Sequence, residues 1–171
     1  RLLRLRLSVG RDADPTFEEI IEFLESDFDG EDVHLGNFHS LIDLTIEHSD
    51  LVDESLLERC IELCKERREI QEDQGKYRAE RDTIEQLIGL KQAIGEDIED
   101  EEERLIRSFQ HEIDRRPSSQ GTGAILKEAI TRCSRFLDDD KEREWKRELR
   151  EVNRTAVQEE FAEISPPDDV A

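Results

Sequence analysis

The chain has 171 residues, of which 42% are charged, 35% hydrophobic and 5% aromatic, and its formal net charge is -21. That length permits one domain with a real core or an elongated structure with a thin one. The low apolar fraction comes with helix-forming Glu, Arg and Leu and little Gly or Pro, which suits helices better than disorder. Forty-six acids against 25 bases repel nucleic acid and anionic membranes over most of the surface. No run approaches the roughly 20 apolar residues that span a bilayer. The expected partner is therefore a protein, or a second copy of the chain, with nucleic acid disfavoured and no membrane. Acid excess with scarce Lys fits a salt-adapted protein, against which stands the preference for Glu over Asp. The three cysteines, Cys60, Cys64 and Cys133, are too few for a disulfide scaffold and point to a reduced, intracellular and cytoplasmic setting. With Arg1 first and no Met, the chain reads as an excised domain.

Leu3, Leu5, Leu7 and Val9 alternate with Arg4, Arg6, Ser8 and Gly10, the period of a half-buried strand. The only other faintly extended segment, Asp32 to Leu35, is too short to partner it, so residues 1–13 are read as an N-terminal arm or strand that pairs outside the chain, or as an ordinary helix start or a frayed arm. Asp14, Pro15, Glu18 and Glu19 then open a helix with a capping carboxylate, a first-turn proline and acids at the positive dipole end. Phe17, Ile20, Ile21 and Leu24 give this helix one apolar face. A second helix is expected after Asn37, with Phe38, Leu41, Ile42 and Ile46 on one side, ending at 48–50. Between them, residues 27–32 resemble a calcium loop only superficially. With Gly30 at the sixth place, Asp32 and Gly36 fall where an apolar residue and a bidentate Glu are required, and an acidic turn is the better account.

The longest pattern begins at Asp53, with Asp53 or Ser55 as its cap. Leu56, Leu63, Ile70, Tyr77, Ile84, Ile98 and Leu105 lie on one seven-residue grid that only Lys91 interrupts, the spacing of helices that wrap around a partner helix. The second grid carries Cys60, Ile88 and Phe109 but also Arg67, Gln74, Arg81, Gly95 and Glu102, so the seam is polar through its middle. If the phase is continuous across Gly75 and Gly95, residues 56–109 form a rod of about 80 Å. If either glycine is a turn, they form a helical hairpin, and the wet middle is where a turn, a bend or a partner is expected. Glu96, Asp97, Glu99, Asp100, Glu101, Glu102 and Glu103 read as a solvated face or loop. Leu105, Ile106, Phe109 and Ile113 resume a helix that stops before Pro117.

Residues 117–123, Pro-Ser-Ser-Gln-Gly-Thr-Gly, read as a linker. Beyond it Ile125, Leu126, Ala129, Ile130, Cys133, Phe136 and Leu137 make a broad apolar face, the mark of a well-buried helix. Asp138, Asp139 and Asp140 break or cap. A last helix carries Trp145, Leu149, Val152 and Ala156 at four, three, four spacing and runs through Phe161 and Ile164 to Ser165, Pro166 and Pro167. The organisation is thus an arm (1–13), a helical region with a long central helix or hairpin (14–116), a linker (117–123), a C-terminal helical pair (124–164) and a tail (165–171). The fold class is all-α: a helical bundle or hairpin with a coiled-coil-like centre and one short N-terminal strand at most.

Chemistry has few footholds. Cys60 and Cys64, one helical turn apart, could give two thiolates to zinc with Cys133 or His48, but no Cys-x-x-Cys or spaced His pair completes a tetrahedral set. Small buried hydrophobes are the commoner role of such cysteines. His34, His39, His48 and His111 show no metal-protease spacing. Gly121, Thr122 and Gly123 precede a helix but lack the Walker lysine position and a preceding strand. Ser118 follows Arg115, Arg116 and Pro117, a context that a basophilic kinase reads. Acid pairs are so numerous that none stands out for general acid–base work. These features define a non-enzymatic protein-interaction or oligomerisation module, an acidic helical scaffold with no catalytic, cofactor or metal residues. Leu56, Leu63, Ile70, Tyr77, Ile84, Ile98, Leu105 and Phe109 are its candidate contact residues. Two alternatives come from other classes: a dimeric transcription-regulator-like protein whose tri-helical head is built from the helices at 17–26, 38–48 and 56 onward, and an acidic nucleic-acid mimic that competes for a basic protein.

Overall fold

The computed structural model describes residue 22, residues 35–116 and residues 120–164. The expected strand at Leu3 to Val9, the acidic turn at 27–32, Pro117 to Ser119 and the tail at 165–171 lie outside the described residues, as does the first helix except for Glu22, which is helical and exposed. Among the described residues there are six α-helices and no strand, and the fold is all-α. They are α1 (Leu35–Glu47), α2 (Glu54–Asp73), α3 (Tyr77–Ile94), α4 (Glu99–Arg115), α5 (Gln120–Arg132) and α6 (Asp139–Ile164), with a short 3-10 turn at Ser49–Leu51 after α1. The chain divides into two compact units, Arg1–Arg104 and Leu105–Ala171.

In the first unit, α1 begins before Asn37 and buries the face expected of it: Phe38, Leu41 and Ile42 are inside, with Ile46 packed at the margin. After the 3-10 turn, the Asp53 carboxylate accepts the Ser55 N–H at 3.0 Å and caps α2, satisfying one of the donors that every helix start leaves open. The 20-residue α2 then stops at Gln74 and Gly75. Gly75 has φ +63°, the left-handed conformation that glycine adopts without a Cβ penalty. Its N–H donates to Glu72 O at 2.9 Å and the Lys76 N–H donates to Gln71 O at 2.9 Å, the paired bonds of a Schellman cap.

The same device ends α3. Gly95 has φ +77°, and the N–H groups of Gly95 and Glu96 donate to Gln92 O and Lys91 O at 3.2 and 2.9 Å. Residues 56–109 are therefore not one long central helix. They form a tight hairpin of α2 and α3 followed by α4, and a left-handed glycine cap ends each of the first two helices. α2 and α3 share the most extensive helix contact and α1 packs on α3. The core between these three helices is built from Phe38, Leu41, Ile42, Val52, Leu56, Leu57, Cys60, Ile61, Leu63, Cys64, Leu87 and Leu90. Toward the hairpin turn this core gives way to buried polar residues: Arg68, Gln71, Glu80, Arg81 and Thr83. Thr83 Oγ1 donates to Gln71 Oε1 at 2.9 Å and ties α3 to α2 there.

In the second unit, α4 contributes Leu105, Phe109 and Ile113, α5 contributes Ile125, Leu126 and Ala129, and Cys133 and Trp145 complete the buried set. The Phe109 and Trp145 rings meet edge-on at 6.4 Å, and Trp145 Nε1 donates to Gln110 Oε1 at 3.0 Å, so the polar tip of the buried indole has a partner. The linker expected at 117–123 needs correction, because α5 begins at Gln120. Thr122 is buried and its hydroxyl donates to Arg116 O. A Cβ added at Gly123 would stand 3.4 Å from Val152 Cγ1 and 3.8 Å from Leu149 Cδ1. These residues are part of a helix, with Gly123 facing α6. α6 starts where the Asp138 carboxylate accepts the Lys141 N–H at 2.6 Å.

Candidate interaction surface

The outer side of α2 carries a regular row of acids. Glu58, Glu62 and Glu66 follow one another at four-residue steps and are all exposed, so the pleatless geometry of a helix sets them in a stripe about 12 Å long at 1.5 Å per residue. They border an open groove of about 630 Å³ that also includes Ser55, Arg59, Lys65 and, from the turn after α3, Glu96, with Ile61 and Leu63 at its floor. Lys65 Nζ is held by Glu62 at 2.7 Å. Glu58 and Glu66 make no ion pair with a described residue. Ile61 and Leu63 are 3% and 5% exposed, so the acids form the groove's exposed rim.

Three other features stand apart from this groove. The first is a buried charge cluster. Glu101, in the first turn of α4, is 4% exposed and meets Arg68 Nη1 of α2 at 3.3 Å and Lys91 Nζ of α3 at 3.2 Å, with Arg104 Nε at 3.9 Å. Two helices thus each send a cation to one carboxylate and hold the start of α4 on the hairpin. Arg68 Nε and Gln71 Nε2, three residues apart on α2, are buried without a hydrogen-bond partner among the described residues. The second feature is a shallower groove of about 430 Å³ between α1 and α3, lined by His39, Asp43, Asp82, Glu85, Gln86 and others. Gln86 Nε2 donates to His39 O at 2.9 Å and to Asp43 Oδ1 at 2.7 Å, which leaves Gln86 Oε1 to accept from His39 Nδ1 at 2.7 Å. That network saturates its own members and fastens α1 to α3.

The third is the cysteine set. Cys60, Cys64 and Cys133 are buried and carry thiols, with no disulfide between them. Burial, reinforced by neighbouring Cys60, pushes the Cys64 thiol well above its ordinary range, the condition of an inert structural cysteine. Among the described residues no group of three or more His, Cys, Asp or Glu is placed to hold a metal ion, and no helix is long and apolar enough to cross a membrane.

The candidate contact residues separate into two sets. Leu56, Leu63, Ile84, Leu105 and Phe109 are each at most 5% exposed and are occupied by packing inside the chain. Tyr77 and Ile98 are half-buried next to the two turns, and Ile70 is 43% exposed on α2. The grid therefore traced core positions of successive helices, and Ile70 alone of the eight remains an exposed hydrophobic residue.

A counterpart of opposite sign lies on α6. Arg147, Arg150 and Arg154 are exposed at three- and four-residue spacing and make no ion pair with a described residue. Neighbouring Arg143 is already bridged to Asp139 and Asp140. Glu148, on another side of α6, has its carboxyl pushed up by partial burial and then by Glu144 and by Asp114 of α4. This arginine stripe was legible in the same window as the Trp145, Leu149, Val152, Ala156 face, two positions out of phase with it. No protein-family model, curated protein or solved structure matches the chain.

Proposed function

We propose that the chain is a non-enzymatic protein–protein interaction or oligomerisation module, an acidic helical scaffold for a larger assembly. The supporting observation is the outer side of α2, where Glu58, Glu62, Glu66 and Glu96 border an open groove and two of the glutamates lack a cationic partner. A row of exposed carboxylates at one-turn spacing steers and registers a charged partner surface more than it encloses a small substrate. A net charge of -21 favours encounter with cationic surfaces and disfavours polyanions.

Sedimentation equilibrium over a wide range of protein concentration at low salt tests the reading. A mass that climbs above that of one chain as concentration rises supports the oligomerising module. A mass fixed at one chain throughout removes it.

A further inference from the structure

Resting on that reading, we infer that the partner of the acidic stripe on α2 is the arginine stripe on α6 of a second copy of this chain. Four observations lead to this pairing. Glu58, Glu62 and Glu66 are exposed on one side of α2, and Arg147, Arg150 and Arg154 are exposed on one side of α6. The two stripes have nearly the same length, nine residues against eight, or about 12 and 10 Å along their helix axes, so three acids face three bases without a gap. The arginines have no acid of their own, and neither do Glu58 and Glu66, so docking does not first have to break an internal pair at those positions. Arg is also the base suited to the task, because its planar fork engages a carboxylate through two donors and holds its charge at any physiological pH.

The chain's composition makes this choice specific. In a protein with 46 acids and 25 bases, two identical copies repel one another over most of their surfaces, and a contact forms where one copy presents bases that no acid of the same copy has paired. The α6 stripe is such a place, and the α2 stripe is its complement in charge and spacing. Each copy carries both stripes, so the contact can be made twice in a closed pair of chains or repeated from chain to chain. Exposed ion pairs are individually weak and salt-sensitive, so the association is concentration-dependent and reversible.

A charge-exchange experiment on the full chain tests the pairing by sedimentation equilibrium at low salt. One variant carries Glu58→Arg, Glu62→Arg and Glu66→Arg, and the other carries Arg147→Glu, Arg150→Glu and Arg154→Glu. All six positions are solvent-exposed, and circular dichroism confirms that each variant keeps the helical signal of the parent. Each variant alone is expected to run as a single chain at concentrations where the parent associates. An equimolar mixture is expected to recover the parent's mass, because the Arg-bearing α2 of the first then meets the Glu-bearing α6 of the second, and the reverse pair is restored with it. If the parent associates but both variants keep its mass, or if mixing recovers nothing, the pairing is wrong while the oligomerising module stands. If the parent is a single chain at every concentration, both are wrong.

Discussion

Glu101 stands in an acidic run whose members otherwise face water, yet it is 4% exposed and has a cation from α2 on one oxygen and one from α3 on the other. Its removal leaves Arg68 and Lys91 with buried charge and no carboxylate between them. Glu101→Ala is therefore expected to destabilise the chain by about 3–5 kcal/mol, measured as a drop in the urea midpoint followed by circular dichroism. The control is Lys65→Ala, which breaks an exposed pair with Glu62 and should change stability by no more than about 0.5 kcal/mol. Cys64 gives a second test at this scale. Its folded-state pKa is raised by burial and by Cys60, so the unfolded chain ionises this thiol first. Stability is full below the ordinary thiol range near 8.5 and declines as pH rises through it toward the folded value. The urea midpoint should fall between pH 8 and pH 10, and replacing Cys64 by Ala should flatten that fall. A slope unchanged by the replacement would assign the pH dependence to other groups.

At the scale of elements, the two Schellman caps divide what reads as one seam into three helices. Gly95 isolates the backbone contribution, since a Cβ there meets nothing within 4 Å while φ stays at +77°. Gly95→Ala should cost about 1–2 kcal/mol through the left-handed conformation alone, and Gly95→Asn should cost less; equal stability of all three would mean that the turn relaxes out of that conformation. The turns also explain why the seven-residue grid crossed them. Three residues separate α2 from α3 and four separate α3 from α4, each close to the 3.6 of a helical turn, so buried positions stayed nearly in phase although the helix is broken at each turn. Helix starts were legible because their chemistry is local: Asp53 caps α2 and Asp138 caps α6. The α5 start was not, because Gly121, Thr122 and Gly123 look like linker residues although they lie in the first turn of α5, with Thr122 tied to Arg116 O and Gly123 facing α6. Glu101 did carry a signal, lying four residues before Leu105 and eight before Phe109 on the buried face of α4, but acids on both sides masked it. The partner of the α2 stripe depended on which charges remain unpaired, and sequence spacing alone does not say that.

For the whole molecule, electrostatics act with two opposite signs. A net charge of -21 means that self-repulsion opposes the compact state, and the exposed i,i+3 and i,i+4 pairs along α2 and α6 return at most about 1 kcal/mol each. The Glu101 cluster is too well buried for salt to screen it strongly. Raising salt, which shortens the screening length from about 10 Å at 0.1 M to about 3 Å at 1 M, should thus weaken repulsion more than attraction within one chain. The thermal midpoint of dilute protein is expected to rise over that range, and a falling midpoint would mean that surface ion pairs outweigh repulsion. Contact between copies responds the other way: the α2 and α6 stripes attract through exposed charges, so the same salt increase that stabilises each chain should lower the mass at sedimentation equilibrium. Measured together on one sample series, the two slopes separate charge that acts within the chain from charge that acts between chains, because an association driven by buried apolar surface would hold or strengthen as salt rises.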